Sequence, residues 1–283
     1  MSSSSLVTIV IPCYNDGQYL LEAIASAQAQ THPLTEIIVV DDHSTDPQTL
    51  AVYENLQNQG IAVLQTPPCK KGPSAARNTG IAAATGDYIL PLDADDAIAP
   101  SYISKAVTVL DATPAVGICY CNARFFGLKS GPWSLPPYSF KELLCGNIIF
   151  ATALFRKSDW SKVGGYDENL TLGLEDYAFW LRLTDGGTGV YRLEEELFFY
   201  RIKSGSRSAQ LVPEDKQMRA LETMYESCAD IFSRHCGVLL QKIAVLHNDH
   251  ARQKCLLSWK ICAPLFRMEW LLRQRIKKFL GRC

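Results

Sequence analysis

The sequence predicts an α/β protein built on a doubly wound, mostly parallel central sheet, followed by a helical C-terminal extension. Three observations carry this. Apolar, β-branched runs alternate with segments of helical period through residues 6–96, the pattern of strand–helix–strand units. The runs are continuous rather than alternating, as strands buried on both faces require. Each ends in a polar turn, where open α/β sheets bind ligands. A chain of 283 residues with 47% hydrophobic content can bury such a sheet in one large domain, or in one domain plus an extension.

Residues 6–12 (Leu-Val-Thr-Ile-Val-Ile-Pro) read as the first strand, broken by Cys13-Tyr14-Asn15-Asp16-Gly17 and followed by a helix from about Gln18 to Gln30. A second strand spans 36–40 and ends in Asp41-Asp42. A helix over about 47–59 and a third strand at 61–66 come next. Pro67-Pro68 and Gly72-Pro73 mark a loop before a helix at 74–84. The fourth strand lies in 87–96 (Asp-Tyr-Ile-Leu-Pro-Leu-Asp-Ala-Asp-Asp) and finishes in Asp93, Asp95 and Asp96. Carboxylates at a strand end are costly to desolvate unless compensated. A divalent cation that brings a substrate phosphate is one compensator; a polar turn capping the next helix is the other explanation. The loaded turns at Pro12 to Asp16, Asp41-Asp42 and Asp93 to Asp96 all follow parallel strands, so they should converge on one edge of the sheet. No Gly-x-Gly-x-x-Gly turn or Gly-x-x-x-x-Gly-Lys-Ser/Thr loop occurs, which argues against a Rossmann dinucleotide site and a P-loop.

The net charge of −1 gives no whole-molecule case for nucleic-acid binding. Residues 255–283, however, carry seven cations against the single acid Glu269, an asymmetry that points to an anionic partner. The ten cysteines show no paired Cys-x-x-Cys spacing, which favours reduced thiols in a cytoplasmic protein. The first residues lack a signal-peptide pattern, and no apolar run is long enough to span a membrane.

The motifs together resemble family 2 glycosyltransferases, which are inverting enzymes of the GT-A fold. The resemblance rests on Thr8-Ile-Val-Ile-Pro-Cys-Tyr-Asn15, Glu36-Ile-Ile-Val-Val-Asp-Asp-His-Ser-Thr-Asp46, Ala76-Arg-Asn-Thr-Gly80 and Gly86 through Asp96, and on Gly164-Gly-Tyr-Asp-Glu168, Leu174 through Arg182 and Tyr200-Arg-Ile-Lys-Ser204. They occur in family order across residues 6–208; residues 1–208 are taken as the catalytic domain with a smaller acceptor-side region, and 209–283 as the helical extension.

The resemblance implies a UDP-sugar donor, a glycan or lipid-linked acceptor, and Mn2+ or Mg2+. Asp42 would accept the uracil ring N–H, or form an Asx turn before Ser44. Pro12, Tyr14 and Asn15 would make the loop under the nucleotide. Arg77 would meet the diphosphate, or pair within the carboxylate cluster. Asp93 would face the ribose, Asp95 hold the metal, and Asp96 cap the next helix. Asp176 would be the base that deprotonates the acceptor, with Glu175, Gly165 and Tyr166 on the acceptor side. Glu175 and Asp176 are also first-turn acids that a helix dipole favours without any catalytic duty.

The chain departs from the family at Lys203, where many relatives carry a histidine that completes the metal site. An ammonium cannot ligate a metal but can pair with a diphosphate oxygen. No Gln-x-x-Arg-Trp segment follows the Glu-Asp pair, so transfer of one sugar per encounter is expected, as in cell-surface polysaccharide synthesis. A helical pattern runs on from about 213, and its basic end (270–280) suits an interfacial helix on the inner face of a membrane, a helix packed on the catalytic domain, or one packed on a homodimer partner. Two other functions fit the general fold. A sugar nucleotidyltransferase would need a Gly-rich, basic loop after the first strand, and Pro12 to Asn15 supply none. A non-catalytic nucleotide-sugar-binding module would not need Asp95 and Asp176.

Overall fold

The computed structural model describes residues 5–204 and 214–252. The basic tail lies outside the described residues, and with it the membrane and dimer contacts expected of that segment. The first half alternates as the pattern predicts: β1 (Val7–Cys13), α1 (Gly17–Gln28), β2 (Thr35–Asp41), α2 (Pro47–Asn58), β3 (Ala62–Gln65), α3 (Pro73–Ala83) and β4 (Tyr88–Pro91). All four strands pair in parallel, with Val7 opposite Thr35 and Tyr88. Local chemistry starts the helices where the sequence breaks. Asp46 caps α2 by accepting from the Thr49 N–H at 2.9 Å, and Pro47 at the first helical position has no N–H to leave unpaired.

The second half adds β5 (Ala97–Ile98), α4 (Tyr102–Ala112), β6 (Val116–Gly127), β7 (Gly131–Trp133), α5 (Phe140–Leu143), β8 (Leu154–Arg156), α6 (Lys157–Lys162), α7 (Glu175–Asp185) and β9 (Gly189–Ile202). The sheet order is β3-β2-β1-β4-β8-β6-β9-β5, with β7 hairpinned onto β6. β8 runs antiparallel between β4 and β6, whereas β6 and β9 are parallel. Between Cys121 and Ala123 the β6–β9 register slips twice, so that Glu194 and Glu195, and then Leu197, fall out of the ladder while Glu196 pairs with Asn122. Beyond the sheet, α8 (Glu214–Ser227) and α9 (Ala229–Arg234) lie ahead of α10 (Cys236–Arg252). Met224, Cys228, Ile231 and Phe232 join the same buried core as α7.

Asp96 is the first correction. It caps no helix: a strand, β5, follows it, and its side chain lies 2% exposed and accepts the Arg201 N–H at 2.8 Å. It therefore ties the end of β4 to β9.

One glycine sets how closely α3 approaches the sheet. A Cβ on Gly80 would sit 2.5 Å from Val10 Cγ1 and 2.9 Å from Val40 Cγ2, side chains of two fully paired central strands. Helix propensity favours Ala over Gly by about 1 kcal/mol, but overpacking a core costs roughly 1–3 kcal/mol. Gly80→Ala should therefore lower the thermal midpoint by several degrees, on the order of 2–4 °C per kcal/mol for a domain of this size. An unchanged or raised midpoint in calorimetry would show that the helix moves away freely.

Candidate active site

The loops that follow β1, β2 and β4 meet at the C-terminal edge of the parallel strands, as expected. The first two are laced together. Asn15 adopts a left-handed backbone (φ 54°), a conformation asparagine tolerates better than most residues. Its side-chain oxygen accepts the N–H groups of Thr45 and Asp46 at 2.8 and 2.9 Å, while its own N–H donates to Ser44 Oγ. The Asn15 side chain thus shapes the floor of this corner by holding the β2–α2 loop. Asp41, not Asp42, forms the local turn, accepting from Ser44 N–H at 2.8 Å. Asp42 reaches instead across to Gly72 N–H (2.7 Å) with one oxygen, and its other oxygen, Oδ1, is buried with no hydrogen-bond partner among the described residues. Above this corner Tyr14 stands 55% exposed, while Pro12 is paired within β1.

At the centre lies Arg77, in the first turns of α3 and 2% exposed. It donates to Asp93 at 2.7 Å and to Glu175 at 2.9 Å. Diphosphate contact was one expectation for Arg77; its guanidinium is given to these two carboxylates instead. Burial alone would lower its pKa, but Asp93 and Glu175 outweigh that and push it above the ordinary value. The Tyr166 ring packs against the same guanidinium (5.6 Å from its centroid) and stacks on Phe179. Tyr166 is 2% exposed, so it supports Arg77 from within the core instead of presenting a face to an acceptor. Gly165 is likewise not opened toward a sugar. Its φ is 77°, and a Cβ there would meet Asn78 Oδ1 at 2.8 Å and Trp160 Nε1 at 2.9 Å. Asn78 receives both Tyr166 N–H and Trp160 Nε1–H and donates to Tyr166 O and Glu168.

The other carboxylates of the strand end are met by β9. Lys203 Nζ lies 2.9 Å from Asp95 and 2.6 Å from Asp16. Arg201 donates to the Asp95 carbonyl at 2.7 Å, pairs with Glu22, and lies over the rings of Phe126 and Tyr19. Burial and the Asp93 charge raise the pKa of Asp95, against the opposing pull of Lys203. Asp96 is raised further by burial and by the charges of Asp95 and Asp93. Among the described residues, no cluster of three or more His, Cys, Asp or Glu side chains is arranged to hold a metal ion. Asp95 Oδ1 and Asp93 Oδ2 nevertheless accept no hydrogen bond among the described residues, Lys203 and Arg77 taking the other oxygens. That donor set fits an ion bound by one or two carboxylates plus substrate phosphate oxygens, the usual habit of Mg2+.

α7 brings in Asp176. Gly173 (φ 117°) and Leu174 (φ 66°) turn the chain sharply into the helix. A left-handed leucine is a strained choice, of the kind found where a site over-determines its backbone. The turn sets Glu175 and Asp176 in the first turn, both lining a cleft of about 230 Å³ with Arg77 and Asp93. Asp176 Oδ2 accepts from Asn147 at 2.9 Å. Burial and the neighbouring Glu175 charge push its pKa up to about 6, offset in part by Arg77 and by the Asn147 hydrogen bond.

Residues 8–163 match the sequence profile of Glycosyl transferase family 2. The chain belongs to this family. Its fold is GT-A, shared with the Staphylococcus aureus TarS fragment 1–349 solved with UDP-GlcNAc (TM-score 0.66 over 78% of this chain and 66% of that one, 22% identity). The mannosyltransferase PcManGT of Pyrobaculum calidifontis, solved with GDP-Man and Mn2+, shares the fold at TM-score 0.61 and 18% identity, over 95% of this chain and 81% of that one. In sequence, the transferase is 30% identical over 211 residues to the Escherichia coli UDP-Glc:alpha-D-GlcNAc-diphosphoundecaprenol beta-1,3-glucosyltransferase WfaP, covering 72% of this chain and 80% of WfaP. It is 26% identical to Escherichia coli chondroitin synthase over 72% of this chain, but spans only 30% of that longer protein.

Asn147, Asp16 and Asn78 touch the candidate site residues Asp176, Lys203 and Tyr166 of this glycosyltransferase and were given no role from sequence. Asn147 sits in a stretch with no periodic signal, and only contact with Asp176 reveals it. Its bond favours the charged form of Asp176. With Asp176 as the base proposed below, which must be deprotonated to act, kcat/KM should rise with pH through about 6. Asn147→Ala removes a bond of roughly 0.5–1.5 kcal/mol, so that acid limb should move up by about 0.5–1 pH unit. A pH–rate profile in which the variant's limb stays in place or moves to lower pH would contradict this role.

Proposed function

We propose that this transferase moves one sugar from a UDP-sugar to a hydroxyl of a glycan or lipid-linked acceptor, with inversion at the anomeric carbon. The observation that carries the reading is Asp176: a carboxylate with a raised pKa, held by Asn147, in the same cleft as Asp93 but apart from the Lys203–Asp95 pair. In the reaction the acceptor O–H gives its proton to Asp176 as the oxygen attacks the anomeric carbon. The bond from that carbon to the diphosphate oxygen breaks, and UDP leaves with the electron pair. WfaP, by its name a UDP-glucose enzyme acting on a lipid diphosphate, and the TarS complex with UDP-GlcNAc support a UDP-sugar donor.

On the donor side, the unpartnered Asp42 Oδ1 is an acceptor suited to the uracil ring N–H, beneath an exposed Tyr14 ring able to cover the base. Asp93 faces the ribose. Asp95, with help from Asp93, would hold a Mn2+ or Mg2+ ion carried in by the diphosphate. When bound, the ion would neutralise charge on the leaving UDP. Lys203 stands against Asp95, ready to pair with a diphosphate oxygen instead. The seven described cysteines are all free thiols, in keeping with a reducing cytoplasmic setting. No helix among the described residues is long and apolar enough to cross a membrane; peripheral contact through the basic tail, in work on cell-surface polysaccharide, completes the proposal.

Two measurements test it. Asp176→Asn should lower turnover by about 10²–10⁴-fold, the usual contribution of a general base, while UDP affinity by calorimetry stays close to wild type. Equal rates of UDP release to acceptor by the two proteins would remove Asp176 from the mechanism. Lys203→His replaces a repelling cation with a ligand, so Mn2+ titrated in the presence of UDP and followed by electron paramagnetic resonance should bind about tenfold tighter or more. An unchanged titration would show that Lys203 does not govern the ion.

A further inference from the structure

The lining of the cleft has two unlike parts. One carries Arg77, Asp93, Glu175 and Asp176; the other is apolar and largely aromatic, with Trp133, Phe150, Phe198 and Tyr200. The rings are braced from behind. Trp133 stacks on Phe125 (5.2 Å between centroids, 21° between planes) and lies 5.1 Å from Tyr200 and 6.0 Å from Phe150. Phe150 in turn packs 4.5 Å from Phe198. Pure core packing would bury this cluster, yet Trp133 and Tyr200 remain part-exposed and line the opening.

We propose that this wall is the acceptor platform and that the acceptor group is an uncharged pyranose ring, not a polyol phosphate or another anionic chain. The proposal rests on Asp176 being the base. A pyranose has C–H faces and a hydroxyl edge, so an aromatic surface in the same cleft as a carboxylate matches it on both counts. The segment that lines the cleft from Asn147 to Thr152 joins the two functions. Its first residue holds Asp176, and three residues later Phe150 enters the aromatic wall. A ring laid on the wall therefore offers its edge to the base, which is what an acceptor must do. Charge excludes the alternative. Arg77 is the one cation among the described lining residues, and it is already bound by Asp93 and Glu175. A phosphate-rich acceptor would meet an acidic lining with no second cation among the described residues to receive it.

The test uses the full chain saturated with UDP and a panel of methyl pyranosides of glucose, galactose, mannose and N-acetylglucosamine, with ribitol 5-phosphate as the anionic probe. Binding is read by saturation-transfer NMR and titration. At least one pyranoside should bind, with saturation strongest on the C–H protons of one ring face, and ribitol 5-phosphate should not. Trp133→Ala should weaken that binding by about tenfold, the scale of one aromatic contact, with UDP affinity unchanged; Trp133→Phe should retain most of it. Pyranoside binding indifferent to Trp133→Ala, absence of any pyranoside binding, or preference for ribitol 5-phosphate would overturn the proposal. Displacement of the pyranoside by the sugar of an intact UDP-sugar would also overturn it, because the wall would then hold the donor ring. Failure of UDP itself to bind the wild type would sink the functional reading beneath it, and is seen separately in the calorimetry.

Discussion

A single buried guanidinium joins the two halves of this enzyme. Arg77 comes from α3, Asp93 from the end of β4, and Glu175 from the start of α7, nearly a hundred residues later in the chain. Desolvating a cation costs several kcal/mol, recovered only when its partners are well placed. That requirement fixes where α7 begins relative to the sheet, and so where Asp176 stands. Asn78, the next residue, performs the same service with hydrogen bonds, holding the 160–168 segment through Trp160, Tyr166 and Glu168. Gly80, one turn along, lets the helix that carries both lie close against β1 and β2.

From this arrangement comes a division of charge. The strand-end carboxylates Asp95 and Asp96 face cationic β9, through Lys203 and Arg201, and suit the binding of an anionic donor. Asp176 has only an amide as its direct side-chain partner among the described residues, so burial and Glu175 raise its pKa. Similar carboxylates in different surroundings are thus suited to different tasks in the proposed reaction, one toward cations and one toward a proton.

Much of this was legible in the chain. The four apolar runs become β1 to β4, the first three with boundaries shifted by only a residue or two and the fourth as a short strand inside 87–96, because doubly buried strands leave a continuous apolar signal. The helix expected to open at Glu175-Asp176 does so, as α7. Other parts were not readable, for physical reasons. β5 and β8 are two and three residues long, too short for any period, and β8 exists because its neighbours β4 and β6 complete it. The motif residues Gly165 and Tyr166 looked like acceptor contacts because a motif marks an invariant need without saying whose; the need is that of Asn78 and Arg77. Asp96 looked like a cap because the sequence does not show that β9 returns to claim it. Asn147 and Trp133 carry no local pattern at all, and only the folded cleft brings them to Asp176 and the aromatic wall.

The central claim is a single displacement in which Asp176 takes the proton and no sugar–enzyme bond forms. The most direct test is the anomeric configuration of the product, read from the coupling constant of the new linkage by proton NMR. The account predicts configuration opposite to that of the sugar in the UDP donor. Retained configuration would contradict it, because two displacements or a front-face attack would then be required.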